Sequence, residues 1–282
     1  MKSKKDLLSI VLKMLVLVSA ALTVGVIVLI IWHIFVNGVP NLSRDLFDWK
    51  YNSENVSLLP ALINTLIMTL ISLLIAVPIG VFAAVFLVEY SSQGSRLVKI
   101  IRITAETLSG IPSIVYGLFG LLFFVTALKW GMSLLAGSCT VALMILPLIM
   151  RTTEEALLAV PKTFREGSFG LGAGRLRTVF CIVLPSALPG IMAGIILATG
   201  RIAGETAALM YTAGTVAQVP VGKDFLFDST RTLAVHMYSL SSEGLYVDKA
   251  YATAFVLLVM VMCINTLSSF MAKKFGGNNT NG

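Results

Sequence analysis

The chain has 282 residues, of which 57% are hydrophobic and only 12% charged. Soluble domains carry about twice that charged fraction, and the apolar residues run in long blocks, so the bilayer is the solvent that decides the fold. The net charge of +7 would suit a nucleic-acid binder, but its distribution along the chain follows membrane topology instead.

In hydrocarbon every backbone polar group must be satisfied within the protein, which leaves helices or closed barrels. The apolar blocks are continuous rather than alternating, which selects helices. Six spans are predicted. The first runs from about Val11 to Val36. It exceeds the apolar core of about 7 to 15 residues of a cleaved signal peptide and reads as a retained anchor. The second, about Leu58 to Val88, contains Pro78. The third covers about Thr107 to Leu128, the fourth Met132 to Met150, the fifth Ile182 to Tyr211 and the sixth Ala252 to Met271. Crossing the core takes about 20 apolar residues, so the second and fifth spans require tilt or an interfacial extension.

With the N-terminus inside and the spans alternating, fourteen Lys and Arg residues fall inside. Six fall outside: Arg44, Lys50, Lys129, Lys223, Arg231 and Lys249. Arg201 is left within a span. This asymmetry places both termini in the cytoplasm. Two outer loops follow, Asn37–Ser57 and the longer Thr212–Tyr251. A loop as long as the second is often functional, the plainer reading being a solvated lid. The chain divides into residues 1–57 (first helix and outer loop), residues 58–275 (membrane domain) and a polar tail, 276–282, expected to be disordered. No internal or inverted repeat is evident. Cys139, Cys181 and Cys263 lie in or beside apolar segments without metal-ligand spacing and read as small buried hydrophobes. His33 and His236 read as helix-end or surface residues, with no HExxH or Ser-His-Asp arrangement that would suggest a membrane enzyme.

Between the fourth and fifth spans lies a polar, basic, glycine-rich segment, Arg151 to Arg177. Arg151-Thr-Thr-Glu154-Glu155 ends the fourth span and Pro161 interrupts the helix. Lys162 to Phe169 can form two turns that expose Phe164 and Phe169 to a partner. Small Gly167 and Ser168 permit close backbone approach, and Gly172 lets the chain turn. The segment reads Glu166-Gly-Ser, three residues, Gly172, nine residues, Ile182-Val-Leu184-Pro185. An ordinary basic cytoplasmic loop explains the charges but not this spacing.

The fifth span carries Gly200-Arg-Ile-Ala-Gly-Glu205-Thr206-Ala-Ala. A charge in a span costs at least about 2.5 to 3.5 kcal/mol and is normally paired or turned toward a polar cavity. Arg201 and Glu205 are four apart, on one helix face within salt-bridge reach. Arg201 lies about 24 Å along the helix from Pro185, in the outer half of the membrane. Its guanidinium could attract an oxyanion; a purely structural ion pair is the competing reading. The third span opens with hydroxyls, among them Ser109 and Ser113, around Pro112, which suits a discontinuous helix lining a path or simple helix packing.

The spacing from Glu166 to Pro185 closely resembles the "EAA" loop of ABC-importer permeases, with Gly167 and Ser168 in place of two alanines. The resemblance implies an all-α integral membrane protein of six transmembrane helices with the type I ABC importer permease fold. It implies a short cytoplasmic coupling helix, about 161–175, docked on an ATPase through Glu166, Gly167, Ser168, Gly172, Leu184 and Pro185. No Gly-x4-Gly-Lys-Ser/Thr pattern occurs, so ATP and Mg belong to the partner ATPase and no cofactor is expected on this chain. Ser109-Gly-Ile-Pro-Ser-Ile-Val-Tyr-Gly-Leu-Phe-Gly120 and Gly200–Ala208 look like the signatures of phosphate permeases. Gly-Glu-Thr-Ala-Ala with Ala250-Tyr-Ala-Thr-Ala254 is closer to their "A" type. This implies a path past Ser109, Ser113, Arg201, Glu205 and Thr206. The implied partners are a "C"-type permease, an ATPase dimer and an extracytoplasmic phosphate-binding protein in a prokaryotic cytoplasmic membrane. Another oxyanion, molybdate or sulfate, fits the same residues. An ATP-independent channel or ion-coupled transporter would leave the loop pattern unexplained.

Overall fold

The computed structural model describes residues 2–91 and 95–276, with side chains described between residues 9 and 270. The tail expected beyond residue 276 lies outside the described residues. Eleven α-helices and no strand occur among the described residues. Five helices are long and apolar enough to cross a membrane, and a sharply bent pair makes a sixth if it is counted as one span. The protein is a multi-pass membrane protein.

Helix α1 (Lys2–Gly38) stands outside the bundle, its apolar side chains exposed along nearly its whole length, as lipid-facing residues are. It docks only through its last turns. A Cβ on Gly38 would lie 2.7 Å from the carbonyl oxygen of Tyr251, and Phe35 meets Phe255 edge-on. Helix α2 (Leu59–Val85) tolerates Pro60 in its first turn, where the missing N–H had no partner to lose. Pro78 lies inside the helix. A π-helical turn, Phe86–Tyr90, closes it.

The third span is not one helix. Helix α3 (Arg96–Ser109) and helix α4 (Ser113–Gly120, continued by a π-helical stretch to Ala127) are bent by 101°. Pro112 disfavours helical backbone at Ile111. Arg96, Lys99, Arg102 and Glu106 make α3 amphipathic, so it suits the membrane surface rather than the core. Thr107 and Ser109, expected inside the span, belong to this surface helix. Tyr116 bridges the bend, its hydroxyl donating to the Leu108 carbonyl at 2.8 Å.

Helix α5 (Leu134–Ala159) starts on a Ser133 cap and runs nine residues past Met150, so Arg151–Glu155 are helical. It forms the central axis of the bundle. Met68, Met144, Ile145, Ile149, Ile202 and Leu209 fill one core around it. A second core toward the other end of α5 contains Ala84, Val98, Leu157, Val179, Val183 and Ala187. Next come α6 (Lys162–Gly170) and α7 (Arg175–Thr178), then a π-helical turn leading into α8 (Leu184–Ala203). The expected fifth span also breaks. Helix α8 ends at Ala203 and the short α9 (Ala207–Thr212) follows.

The long loop expected outside, Thr212–Tyr251, is not a solvated lid. It contains α10 (Leu233–Glu243) before α11 (Val247–Gly276). The loop is held by Asn64, which donates to the carbonyls of Gln218 and Arg231 at 3.0 and 3.3 Å, and by Thr65, which accepts from the Leu233 N–H at 2.8 Å. His236 is fully buried rather than at the surface. Tyr51, in the first outer loop, lies between it and the guanidinium of Arg231. Cys181 and Cys263 are exposed on the outside of the bundle, not buried as expected, and Cys139 is half-buried.

Candidate coupling surface and membrane path

Helix α6 begins where Pro161 forces Val160 into extended backbone. It ends in a Schellman motif: Gly172 N–H donates to the Phe169 carbonyl at 2.9 Å and Ala173 N–H to that of Ser168 at 3.1 Å. Gly172 has φ +81°, the left-handed backbone expected of a glycine in that motif. The coupling helix predicted over about 161–175 is therefore a helix, a tight turn and the start of a second helix. Ser168 is buried and shares a 2.8 Å hydrogen bond with Thr178, which locks α6 against α7.

Glu166 and Gly167 face solvent. A Cβ on Gly167 would meet nothing within 4 Å, so the chain's own packing does not demand a small residue there. Phe164 and Phe169 are about half exposed, while Leu171 is 91% and Leu176 66% exposed. Such an apolar patch on a polar segment marks a partner surface. A groove of about 310 Å³ beside it is lined by Ser168, Leu171, Gly172, Ala173, Arg177 and Cys181 with Ile182. Leu184 is half-buried and Pro185 exposed in the first turn of α8. They continue the spacing but do not line the groove.

Sequence reasoning missed how this surface is anchored. Arg165 donates from Nε and Nη2 to Glu89 Oε1 at 3.0 and 2.6 Å. It also donates from Nη1 to the Val160 carbonyl and from Nη2 to that of Leu157, both at 2.9 Å. A carboxylate at the end of an otherwise apolar second span was the available signal.

The path residues separate. The expected Arg201–Glu205 ion pair is not formed, because the helix stops between them. Glu205 is buried, and its Oε1 accepts the Ala208 N–H at 3.0 Å, capping α9. Arg201 is exposed in the last turn of α8, with no ion-pair partner among the described residues. Thr206 lines a mostly apolar groove of about 530 Å³ with Ile114, Met210 and Tyr251. Ser109 lines a separate, charged pocket of about 240 Å³ with Arg102, Glu106, Arg151, Glu154 and Glu155. Ser113, at the start of α4, lines neither. The two sequence signatures do meet through packing: α4 lies directly on α9, with Gly117 against Ala208 and Gly120 against Thr140 and Thr212.

The family model described as "Binding-protein-dependent transport system inner membrane component" matches residues 76–276. The chain is 34% identical to the "Probable ABC transporter permease protein YqgI" of Bacillus subtilis, over 92% of this chain and 94% of that protein. It is 32% identical to the "Phosphate transport system permease protein PstA" of Haemophilus influenzae, over 84% of this chain and 83% of that protein. Among solved structures, the inward-facing MetNI methionine ABC transporter has a TM-score of 0.61 at 21% identity, covering 75% of this chain and 93% of that one. A bacterial alginate ABC transporter in complex with its alginate pentasaccharide-bound periplasmic protein has a TM-score of 0.63 at 15% identity, covering 90% and 94%. The last two establish the fold, that of a type I ABC importer permease. By its helical architecture, the extent of the matching model and these identities, the chain belongs to the family of binding-protein-dependent transport system inner membrane components.

Proposed function

We propose that this chain is the A-type permease subunit of an ATP-driven importer of inorganic phosphate. The observation that carries the reading is Arg201, a charged side chain at the end of a membrane helix, exposed and without a carboxylate partner among the described residues. Lipid is a costly surrounding for it, so this face is covered by a second, C-type permease, and the guanidinium points into the path between the two. There it offers a planar, always charged fork to an oxyanion. The name of the Haemophilus influenzae relative supports phosphate over molybdate or sulfate.

The remaining parts follow from that reading. Phosphate arrives from an extracytoplasmic binding protein at the end that carries α10. It passes Arg201, with Thr206, Ser113 and Ser109 along the route. ATP and Mg are bound and hydrolysed by a separate ATPase dimer, which receives the patch around Glu166, Gly167 and Phe169. The chain sits in a prokaryotic cytoplasmic membrane with both termini inside. The excess of Lys and Arg on the side of α3, α6 and α7 supports that orientation. Glu205 does not hold Arg201 in this arrangement; it holds the backbone that turns the chain back into the bundle.

Uptake of radiolabelled phosphate into vesicles carrying the full complex tests the reading, with wild type compared with Arg201→Gln. Loss of ATP-dependent uptake in an assembled variant supports it. Undiminished uptake in that variant, or ATP-dependent uptake of labelled molybdate or sulfate with none of labelled phosphate by the wild type, overturns it.

A further inference from the structure

The coupling helix α6 touches the rest of the protein at few points. Most of its surface is exposed, and Ser168 hydrogen-bonds it to α7. The side chain that bonds it to α2 and α5 is Arg165, the residue before Glu166. Its guanidinium makes contact with two helices at once. Two bonds reach Glu89 at the end of α2, and two reach the Leu157 and Val160 carbonyls at the end of α5. Glu89 is only 8% exposed. A buried carboxylate is stable there because the guanidinium is held against it by four hydrogen bonds.

The neighbouring residue makes a second, independent contact. The ring of Tyr90 receives the guanidinium of Arg175, 5.5 Å from its centroid. Arg175 opens α7, the other arm of the same loop. The π-helical turn Phe86–Tyr90 thus grips both arms of the coupling loop through consecutive side chains. Helix α2 in turn packs on α5 closely enough that a Cβ on Gly80 would lie 2.9 Å from Ile149 Cγ2. A displacement of α6 or α7 is therefore delivered to α2 and α5 as rigid elements, rather than lost in the chain at Pro161 and Gly174.

Resting on the importer reading above, we propose that Glu89 and Tyr90 form the joint through which the ATPase moves the membrane helices. Glu89 is a positioning residue acting through Arg165. Its role is to convert hydrolysis into transport, not to hold the subunits together. The apolar patch of Phe164, Phe169 and Leu171 performs the docking, and Glu89 and Tyr90 lie behind it.

The test uses the full complex in proteoliposomes with the binding protein loaded with phosphate. Three quantities are measured: ATPase subunit retained on purification, ATP hydrolysed and phosphate transported. Glu89→Gln removes the charge and Arg165→Lys keeps it without the fork that spans Glu89 and two carbonyls. Both variants are expected to keep the ATPase subunit and hydrolysis near wild type. Phosphate moved per ATP is expected to fall about ten-fold, within the roughly 5- to 150-fold range of site-to-site couplings. Tyr90→Leu should give a smaller fall of the same kind. An unchanged ratio in Glu89→Gln and Arg165→Lys overturns the proposal. So does loss of the ATPase subunit on purification, which would make the pair a docking or folding element. The wild-type arm judges the substrate separately. If sulfate- or molybdate-loaded protein stimulates hydrolysis and phosphate-loaded protein does not, the phosphate reading fails, and the ratio for the stimulating anion still decides the joint.

Discussion

A Cβ added to Gly117 would lie 2.8 Å from the Cα of Ala208. Helices α4 and α9 therefore meet backbone to backbone, and the small residues of the two signatures in the third and fifth spans are two sides of one contact. Gly117→Ala has no flexible side chain to displace. Overpacking of this kind costs about 1 to 3 kcal/mol. The melting temperature of the purified subunit should fall accordingly in a thermal-shift measurement. Gly25→Ala, inside exposed helix α1 with nothing within 4 Å of the added Cβ, should leave it unchanged or raise it, since Ala favours a helix over Gly.

Gly167 and Gly172 are both open to solvent but differ in kind. Gly172→Ala forces a side chain into left-handed backbone at φ +81°, which costs about 1 to 2 kcal/mol. Limited proteolysis should then cut the turn between α6 and α7 more readily. The Cβ of Gly167→Ala would meet nothing within 4 Å, and Gly167→Leu extends from there on an exposed face, so the variant's own stability should hold. Its retention of the ATPase subunit on purification should fall, because the bulk lies on the proposed docking surface. Equal retention would remove Gly167 from that surface.

His236 carries a pH dependence whose sign can be worked out. Burial chiefly, and the charge of Arg231 next, lower its pKa from 6.5 to about 3, with a weak approach to the Val56 backbone offsetting part of the shift. Neither ring nitrogen makes a hydrogen bond of good geometry. The unfolded chain thus binds a proton near pH 6.5 that the folded chain refuses until about pH 3. The contribution is complete above pH 6.5 and is lost as pH falls through that window, by at most about 1.4 kcal/mol per pH unit. Melting temperatures measured from pH 7 to pH 4 should decline for wild type. The decline should be shallower for His236→Phe, and parallel declines would show that another group titrates.

The Arg102–Glu154 pair joins surface helix α3 to α5, with the two side chains 47% and 11% exposed. Solvent screening limits such a half-exposed pair to about 1 kcal/mol or less. Glu154→Gln should therefore leave the global melting temperature nearly unchanged while speeding hydrogen exchange in residues 96–109. Exchange as slow as in wild type would mean that Val98 and the apolar face alone hold α3 in place.

The spacing from Glu166 to Pro185 located a short polar helix, the turn at Gly172 and the outward face of Phe164 and Phe169, because capping and turn chemistry act within a few residues. The long spans were legible for the same reason, through continuous apolar runs. Two spans break: the fifth was read as unbroken, whereas a discontinuous helix at Pro112 was one of two open readings of the third. In each, hydrophobicity continues across Gly110–Pro112 or Gly204–Thr206 while the backbone does not, and composition averages over such a break. That misreading also produced the false pairing of Arg201 with Glu205, which holds only if both stand on one helix.

The amino-acid sequence by itself thus determined that the chain spans a membrane with helices, where its polar loop lies and which residues face outward on that loop. These are consequences of local hydrophobicity and local backbone chemistry. Only the tertiary structure decided that Glu89 meets Arg165 across 76 residues, that His236 is buried, that Gly117 rests on Ala208 and that Glu205 caps α9 instead of pairing with Arg201. The first three depend on distances between helices remote in sequence. Those distances are set by how side chains of particular volume pack together, which no periodicity along the chain records.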